Sequence, residues 1–309
     1  MISELLPWIG FGFLILFLLS VDLGLFHRTP HKVKTKEALL WSLVWIGFAL
    51  IFDLFVYHFS GKQKAVEFLT AYIVEKALSV DNIFVFLLIF SAFKTPKEFL
   101  HKILFWGVLG ALVLRGTMIL AGVSLLHHFH FMTYIFGLIL VLAGLRMLFQ
   151  KKDDLASQPL FKWALNRFPP SSDLTEGRFV KKLNGKWLVT NLGITLILVE
   201  LSDLIFALDS IPAVLSITPD LFIVYTSNVF AIMGLRSLFF VLGDLIEYFQ
   251  YLPYGLAVML VFIGVRMFLP ESLQISTENE LILIFVIFTV SILVSIFSKN
   301  PKNQIPKKS

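Results

Sequence analysis

Residues 281–298 read LILIFVIFTVSILVSIFS, a run of 18 residues without a charged side chain. A helix needs about 20 predominantly apolar residues to cross a hydrocarbon core ~30 Å thick, so this run predicts a transmembrane helix. Similar blocks recur along the chain and predict an all-α polytopic membrane protein with nine spans. Their approximate limits are 5–26, 39–59, 67–92, 103–126, 131–149, 188–217, 221–246, 253–269 and 281–298.

The composition excludes an ordinary soluble protein. Hydrophobic residues make up 57% of the 309 positions and charged residues 15%, whereas about 25% of an average soluble domain is charged. The chain contains no cysteine, which excludes disulfides and thiolate metal sites. The first apolar block lacks the basic start and the cleavage site of a signal peptide, so we interpret it as a retained span.

The distribution of basic residues predicts the orientation of the spans. Cytoplasmic loops collect Lys and Arg, and 19 of these residues fall on one side of the nine-span layout. The opposite side carries two, Lys62 and Lys64, and its last loop is acidic. We therefore expect the N-terminus outside and the C-terminus in the cytoplasm. The net charge of +5 reflects these loops, and we expect no nucleic-acid partner.

Three consecutive spans recur as a unit in the second half of the chain. Span five ends in AGLRML at 143–148, and span eight ends in IGVRMF at 263–268. A three-span unit repeated in tandem enters the membrane from the opposite side the second time, which is a transporter architecture. The predicted segments are 1–66 (spans one and two), 67–149 (repeat A, spans three to five), 150–187 (cytoplasmic connector), 188–269 (repeat B, spans six to eight) and 270–309 (span nine and a basic tail).

Two registers of this repeat are open in spans three and six. In the first, residues 81–84 correspond to 203–206; in the second, residues 75–82 correspond to 203–210. Both registers place paired acids at equivalent points of the two halves.

Two polar features lie outside the spans. In the connector, Asn184-Gly185 between two short apolar pairs predicts a β-hairpin. The loop after span four contains His127, His128 and His130. These histidines are either an external metal-collecting cluster or a solvated turn, and we favour the turn.

Charged side chains inside the spans are the candidate functional residues. A charge at the bilayer centre costs ~3 kcal/mol on insertion scales, so it is rarely without a role. The acids in the spans are Asp22, Asp53, Glu75, Asp81, Glu200, Asp203, Asp209 and Asp244. The cations there are Lys76, Arg115, Arg146, Arg236 and Arg266. The excess of acids suits a cation, and oxygen ligands suit Mn²⁺, Ca²⁺ or Mg²⁺ better than copper or zinc.

Helical spacing groups some of these residues on common faces. Glu200 and Asp203 share one face of span six, and Glu75, Ser79 and Asn82 share one face of span three. The competing interpretation is structural pairing of the acids with Lys76, Arg115 and Arg236.

Pro212 adds a backbone feature to span six. Proline cannot donate a helix hydrogen bond, so Pro212 frees the carbonyl of Leu208 beside Asp209 and predicts a kink. Arg146 and Arg266 lie near span ends, where we expect them to extend toward the membrane surface.

The stretches EKALSVDN (75–82) and VELSDLIFALDSIPA (199–213) resemble the two signature stretches of the TerC family, with the Alx-like subgroup nearest. The resemblance runs from about residue 10 to residue 298. It implies an inner-membrane protein grouped with the LysE-type transporters, in a family associated with manganese export and tellurite resistance. The residues that it marks as candidate metal ligands are Glu75, Asp81, Asn82, Glu200, Asp203, Asp209 and Ser210. Asp22 matches an acid near the end of the first span.

We therefore expect a secondary transporter that exports Mn²⁺ by alternating access, with protonation of an acid as a route to proton coupling. Mn²⁺, or alternatively Ca²⁺, is then a substrate, and we expect no permanently bound cofactor. The chain lacks a nucleotide-binding loop, and we expect no enzyme activity. The alternative function is a non-transport membrane scaffold, a metallation factor or a tellurite-stress factor. An intramembrane hydrolase ranks last because its motifs are missing.

Overall fold

The computed structural model describes residues 2–26, 35–93, 95–149, 177–183, 186–245, 251–270 and 273–298. These residues form ten helices and one two-stranded hairpin. The helices are α1 (Ile2–Phe26), α2 (Thr35–Ser60), α3 (Lys62–Ala92), α4 (Lys97–His128), α5 (Met132–Phe149), α6 (Asn191–Ile217), α7 (Leu221–Met233), α8 (Leu235–Leu245), α9 (Leu252–Arg266) and α10 (Thr277–Phe297). The strands are β1 (Val180–Leu183) and β2 (Lys186–Val189).

Several helices have the length and apolar composition of membrane spans. Four of them qualify alone: Lys36–Ser60 of α2, all of α4, all of α5 and all of α10. Helices α7 and α8 qualify together as one bent span. Many large apolar side chains on α1, α2, α5 and α10 are exposed, as a lipid-facing surface requires. The predicted all-α membrane architecture is confirmed at this level.

The seventh apolar block, which we predicted as one span at 221–246, forms two helices. It is broken at Gly234, and the two halves are bent by 41°. The Lys76 amine of α3 fills the space that a Cβ at Gly234 would occupy, and it donates a hydrogen bond to the Ala231 carbonyl at 3.2 Å. Glycine at this position leaves room for the buried amine, which binds a carbonyl at the C-terminal end of α7.

Two pairs of helices lie side by side and parallel. Along α3 and α7, the Lys64 ammonium lies 3.0 Å from Asp220 at the start of α7, and Lys76 reaches Ala231 near its end. Along α4 and α6, Gly107 faces Val199 and Gly122 faces Leu215. Four residues separate the end of α3 from the start of α4, and the later part of α3 packs in one cluster with the earlier part of α6, so the second pair runs opposite to the first.

Helices α5 and α9 cross with their backbones in direct contact. A Cβ added to Gly137 would lie 2.9 Å from the Gly264 carbonyl oxygen, and one added to Gly264 would lie 2.7 Å from the Gly137 oxygen. Gly144 approaches the Ala257 carbonyl in the same way. The residue numbers rise along α5 as they fall along α9, so the two helices are antiparallel.

The predicted hairpin is confirmed by the antiparallel pairing of β1 with β2, in which Val180 is opposite Val189. It is held beside the start of α6, because the Thr190 hydroxyl donates to the Arg178 carbonyl at 2.6 Å and accepts from the Gly193 amide at 3.2 Å. The Lys102 ammonium lies 5.1 Å from the centre of the Phe179 ring. The rest of the predicted connector, residues 150–176, lies outside the described residues.

Candidate ion site

A buried ion cluster joins the middle of α3, α4 and α6. The Arg115 guanidinium donates two hydrogen bonds to Asp203, from Nε to Oδ2 at 2.9 Å and from Nη2 to Oδ1 at 2.7 Å. Its Nη1 forms an ion pair with Glu75 Oε1. The exposed fractions of Glu75, Arg115 and Asp203 are 0%, 2% and 3%. This bidentate arrangement uses the planar fork of arginine.

Asn82 completes one side of this cluster. Its Nδ2 lies 3.3 Å from Asp203 Oδ1 and donates to it. Ser79, predicted on the same face, instead donates its hydroxyl to the Glu75 carbonyl of its own helix at 2.7 Å. Glu75 Oε2 is buried without a hydrogen-bond partner in the described part of the chain. One carboxylate oxygen of the cluster is thus free to bind a ligand.

The structure also brings together residues that the competing interpretation had paired. Glu75 and Asp203 carry two negative charges, and Arg115 carries one positive charge. Among the described residues, no three Asp, Glu or His side chains are grouped in a way that could hold a metal ion. The cluster is therefore an arginine-bridged carboxylate pair with one net negative charge.

Glu200 is half-buried and lies against Gly110 of α4, where a Cβ would collide with its carboxylate. Its Oε2 is buried without a hydrogen-bond partner within the described ranges. Asp209 lies about 240° further round α6 than Asp203 on an ideal helix, and its electrostatic partner is Arg146 of α5. The predicted ligands on α6 are thus not all on one face.

The remaining predicted residues occupy varied positions. Ser210 is 2% exposed, and its hydroxyl has no partner in the described ranges. Pro212 lies inside α6, which continues as one helix to Ile217. Arg236 is 6% exposed and follows the break between α7 and α8. The side chains of Asp22 and Asp81 lie outside the described residues.

His127 and His128 lie at the C-terminal end of α4, and His130 lies in the turn that follows it. All three side chains are exposed. His128 Nδ1 lies 2.8 Å from the Ser124 carbonyl of its own helix. This geometry is that of a solvated helix end.

A second ion pair involves Arg266. Its Nη1 lies 2.9 Å from Glu280 Oε2 and donates to the Ser216 carbonyl at the end of α6, 3.0 Å away. Glu280 is fully buried, although its sequence position had placed it in an acidic external loop. Arg266 is thus bound at the end of α6 and the first turn of α10.

Sequence reasoning also missed Asn228 of α7. This side chain is 1% exposed, and neither Oδ1 nor Nδ2 has a hydrogen-bond partner among the described residues. A buried amide requires hydrogen-bond partners, so an asparagine within a predicted span is a candidate functional residue in the same way as the acids.

Comparison with known proteins gives consistent matches over most of the chain. Residues 60–303 match the family model described as "Integral membrane protein TerC family". An uncharacterized membrane protein of Myxococcus xanthus is 44% identical over 291 residues, covering 94% of this chain and 91% of that protein. A "Putative membrane-bound redox modulator Alx" of Escherichia coli (strain K12) is 39% identical over 301 residues, covering 94% of each. No solved structure matches the chain.

Proposed function

The chain belongs to the TerC family of integral membrane proteins, and on this basis we propose that it exports a divalent metal cation, Mn²⁺, across the cell inner membrane. In this proposal the carboxylates of α3 and α6 bind the cation, and alternating access moves it. Proton exchange is the proposed energy source. The observation that carries the proposal is the buried cluster of Glu75, Arg115 and Asp203.

The charge of this cluster supports a cation as the substrate. Two carboxylates and one guanidinium leave one net negative charge in a region where any charge is costly. If Arg115 moves away from the carboxylates, two negative charges remain, which balance one divalent cation. We infer that Arg115 holds the carboxylates while no substrate is bound, and that the substrate replaces it.

The proposed topology has nine spans, with the N-terminus outside and the C-terminus in the cytoplasm. It is supported by the asymmetry of 19 basic residues against two. The proposed segments are two initial spans to residue 66, repeat A at 67–149, the connector at 150–187, repeat B at 188–269 and the final span and tail.

The packing of α5 on α9 supports the inverted repeat. The sequence match between 143–148 and 263–268 has an offset of 120 residues, so Gly137 corresponds to Ala257 and Gly144 to Gly264. The observed contacts are Gly137 with Gly264 and Gly144 with Ala257. Exchanging equivalent residues converts each contact into the other, as a two-fold axis between the helices requires.

The other helices follow the same relation. Repeat A supplies α3 and α4, and repeat B supplies α6 and the bent pair of α7 and α8. Packing of α3 on α7 is then the counterpart of packing of α6 on α4, and both pairs are parallel. A site between α3 and α6 lies at the interface of the repeats, where inverted-repeat transporters bind their substrates.

The test is the manganese content of cells that lack their own exporter. The cells carry the wild-type protein, Asp203→Asn, Glu280→Gln or an empty vector, with membrane levels matched. We expect the wild type to lower cellular manganese and Asp203→Asn to lose this effect, because the cluster loses a charge that the cation needs.

Glu280→Gln is the matched control, since it also removes a buried acid that is paired with an arginine, but away from the cluster. We expect it to retain export. Equal loss in both variants would indicate general damage, and no change of manganese by the wild type would refute export in these cells.

A second candidate function is a non-transport membrane scaffold or stress factor, including a tellurite-resistance role. It is favoured by Arg115, which satisfies both oxygens of Asp203 as a structural bridge would. One relative is named as a redox modulator, but this chain has no cysteine and therefore no thiol for thiol–disulfide exchange. A scaffold predicts that Asp203→Asn retains function whenever it folds.

A further inference from the structure

Asn228 is a buried amide that lacks the partners such a group normally has. Its neighbours differ from it: the Thr226 hydroxyl donates to the Phe222 carbonyl at 2.7 Å, and the Ser227 hydroxyl donates to the Val224 carbonyl at 3.1 Å. Burial removes the hydrogen bonds of an amide to water, and native structures rarely leave them unreplaced. A ligand beside Asn228 would replace them.

Contacts of α7 with α3 and α4 locate Asn228 relative to the ion cluster. On the α3 side, the Lys76 amine, one residue after Glu75, donates to the Ala231 carbonyl, three residues after Asn228. On the α4 side, Gly116, one residue after Arg115, faces Tyr225, three residues before Asn228. Asn228 is therefore within about one helical turn of both contacts along α7.

Two members of the ion cluster thus adjoin residues that contact α7 on either side of Asn228. Glu75, Arg115 and Asp203 are joined by ion pairs. Glu75 Oε2 and both polar atoms of Asn228 have no partner in the described ranges.

We propose that Asn228 is a further ligand of the transported cation and binds it through Oδ1, together with the free oxygen of Glu75. The proposal rests on the cation-transport function and identifies a neutral member of its site. An amide oxygen is a suitable ligand for a hard divalent cation. Because it carries no charge, Asn228 adds a ligand while Glu75 and Asp203 alone balance the cation.

Thermal unfolding of the purified full-length protein, with and without MnCl₂, tests this role. The variants are Asn228→Leu, which keeps the shape but removes both polar atoms, and Asn228→Asp, which keeps an oxygen. Ser227→Ala is the matched control, since Ser227 is equally buried and bonded within its own helix. Bound ligand raises the unfolding temperature in proportion to its affinity.

We expect MnCl₂ to raise the unfolding temperature of the wild type, Ser227→Ala and Asn228→Asp. For Asn228→Leu we expect an unchanged or higher unfolding temperature without metal, because an unsatisfied amide is gone. The same variant should need at least about tenfold more MnCl₂ for an equal shift, or show no shift.

Either of two outcomes would overturn the inference, and the two have different consequences for the proposed function. If Asn228→Leu lowers the metal-free unfolding temperature and keeps the wild-type response to MnCl₂, Asn228 is a structural residue and cation binding stands. If the folded wild type responds to neither MnCl₂ nor CaCl₂, the proposed function fails and the role of Asn228 fails with it.

Discussion

At the residue scale, Arg115 bridges two carboxylates that are buried together. It donates three hydrogen bonds to Glu75 and Asp203, and neither acid is near it in sequence. The acids in the apolar blocks could be identified as functional candidates from the sequence, because a charged side chain inside a span has a high free-energy cost. The choice of Arg115 as their common partner could not, because it depends on how three helices pack.

Replacing Arg115 with Met should strongly destabilise the protein. Removing one member of a buried ion pair leaves an uncompensated charge and costs about 3–5 kcal/mol. The triple variant Arg115→Met with Glu75→Gln and Asp203→Asn should recover most of this loss, because it leaves no charge uncompensated. Thermal unfolding in detergent compares the two, and a triple variant as unstable as the single one would contradict the bridging role.

Two other residues show where sequence reasoning stops. Glu280 lies in an acidic loop by sequence, yet it is fully buried against Arg266. Asn228 carries no charge, so the free-energy cost of a charge in the bilayer, by which we identified the acids, does not apply to it. In both cases the burial of a single side chain depends on the arrangement of neighbouring helices, which the spacing of apolar residues does not determine.

At the element scale, the apolar blocks predicted the helices well, because the length of a span is fixed by the thickness of the bilayer. The break at Gly234 was missed. A single glycine in an apolar block is a weak signal, since glycine is frequent in membrane helices. At the break lies the Lys76 amine, which comes from another helix.

The crossing of α5 and α9 predicts that Gly264 cannot be replaced without separating the helices. A Cβ in Gly264→Ala would lie 2.7 Å from a backbone oxygen of α5, and overpacking of this kind costs roughly 1–3 kcal/mol. Gly47→Ala of α2 is the control, because no atom lies within 4 Å of its added Cβ. Alanine there should be neutral or stabilising by about 0.5–1 kcal/mol.

Thermal unfolding of the two glycine variants provides the measurement. A loss of stability in Gly264→Ala without a loss in Gly47→Ala supports the close crossing. Equal stability of the two variants would show that α5 and α9 can move apart at little cost.

At the scale of the whole molecule, Lys and Arg are distributed unequally between the two sides of the predicted spans, and helix packing contains no such information. The helices can be placed relative to one another from their contacts, but contacts are the same whichever end of the bundle faces the cytoplasm. The orientation rests on the basic loops, because Lys and Arg near the ends of spans are retained on the cytoplasmic side. It is therefore a separate prediction from the fold.

Single-cysteine labelling tests this orientation directly, because the chain contains no cysteine and each introduced thiol is the only one present. A membrane-impermeant maleimide added to intact cells should label Ser60→Cys, His130→Cys and Leu273→Cys, which lie in the proposed external loops. It should label Glu98→Cys and Lys182→Cys only after the membrane is permeabilised. Labelling of Ser60→Cys and His130→Cys from opposite sides would mean that α3 and α4 do not both span, and a uniform reversal would place the basic loops outside.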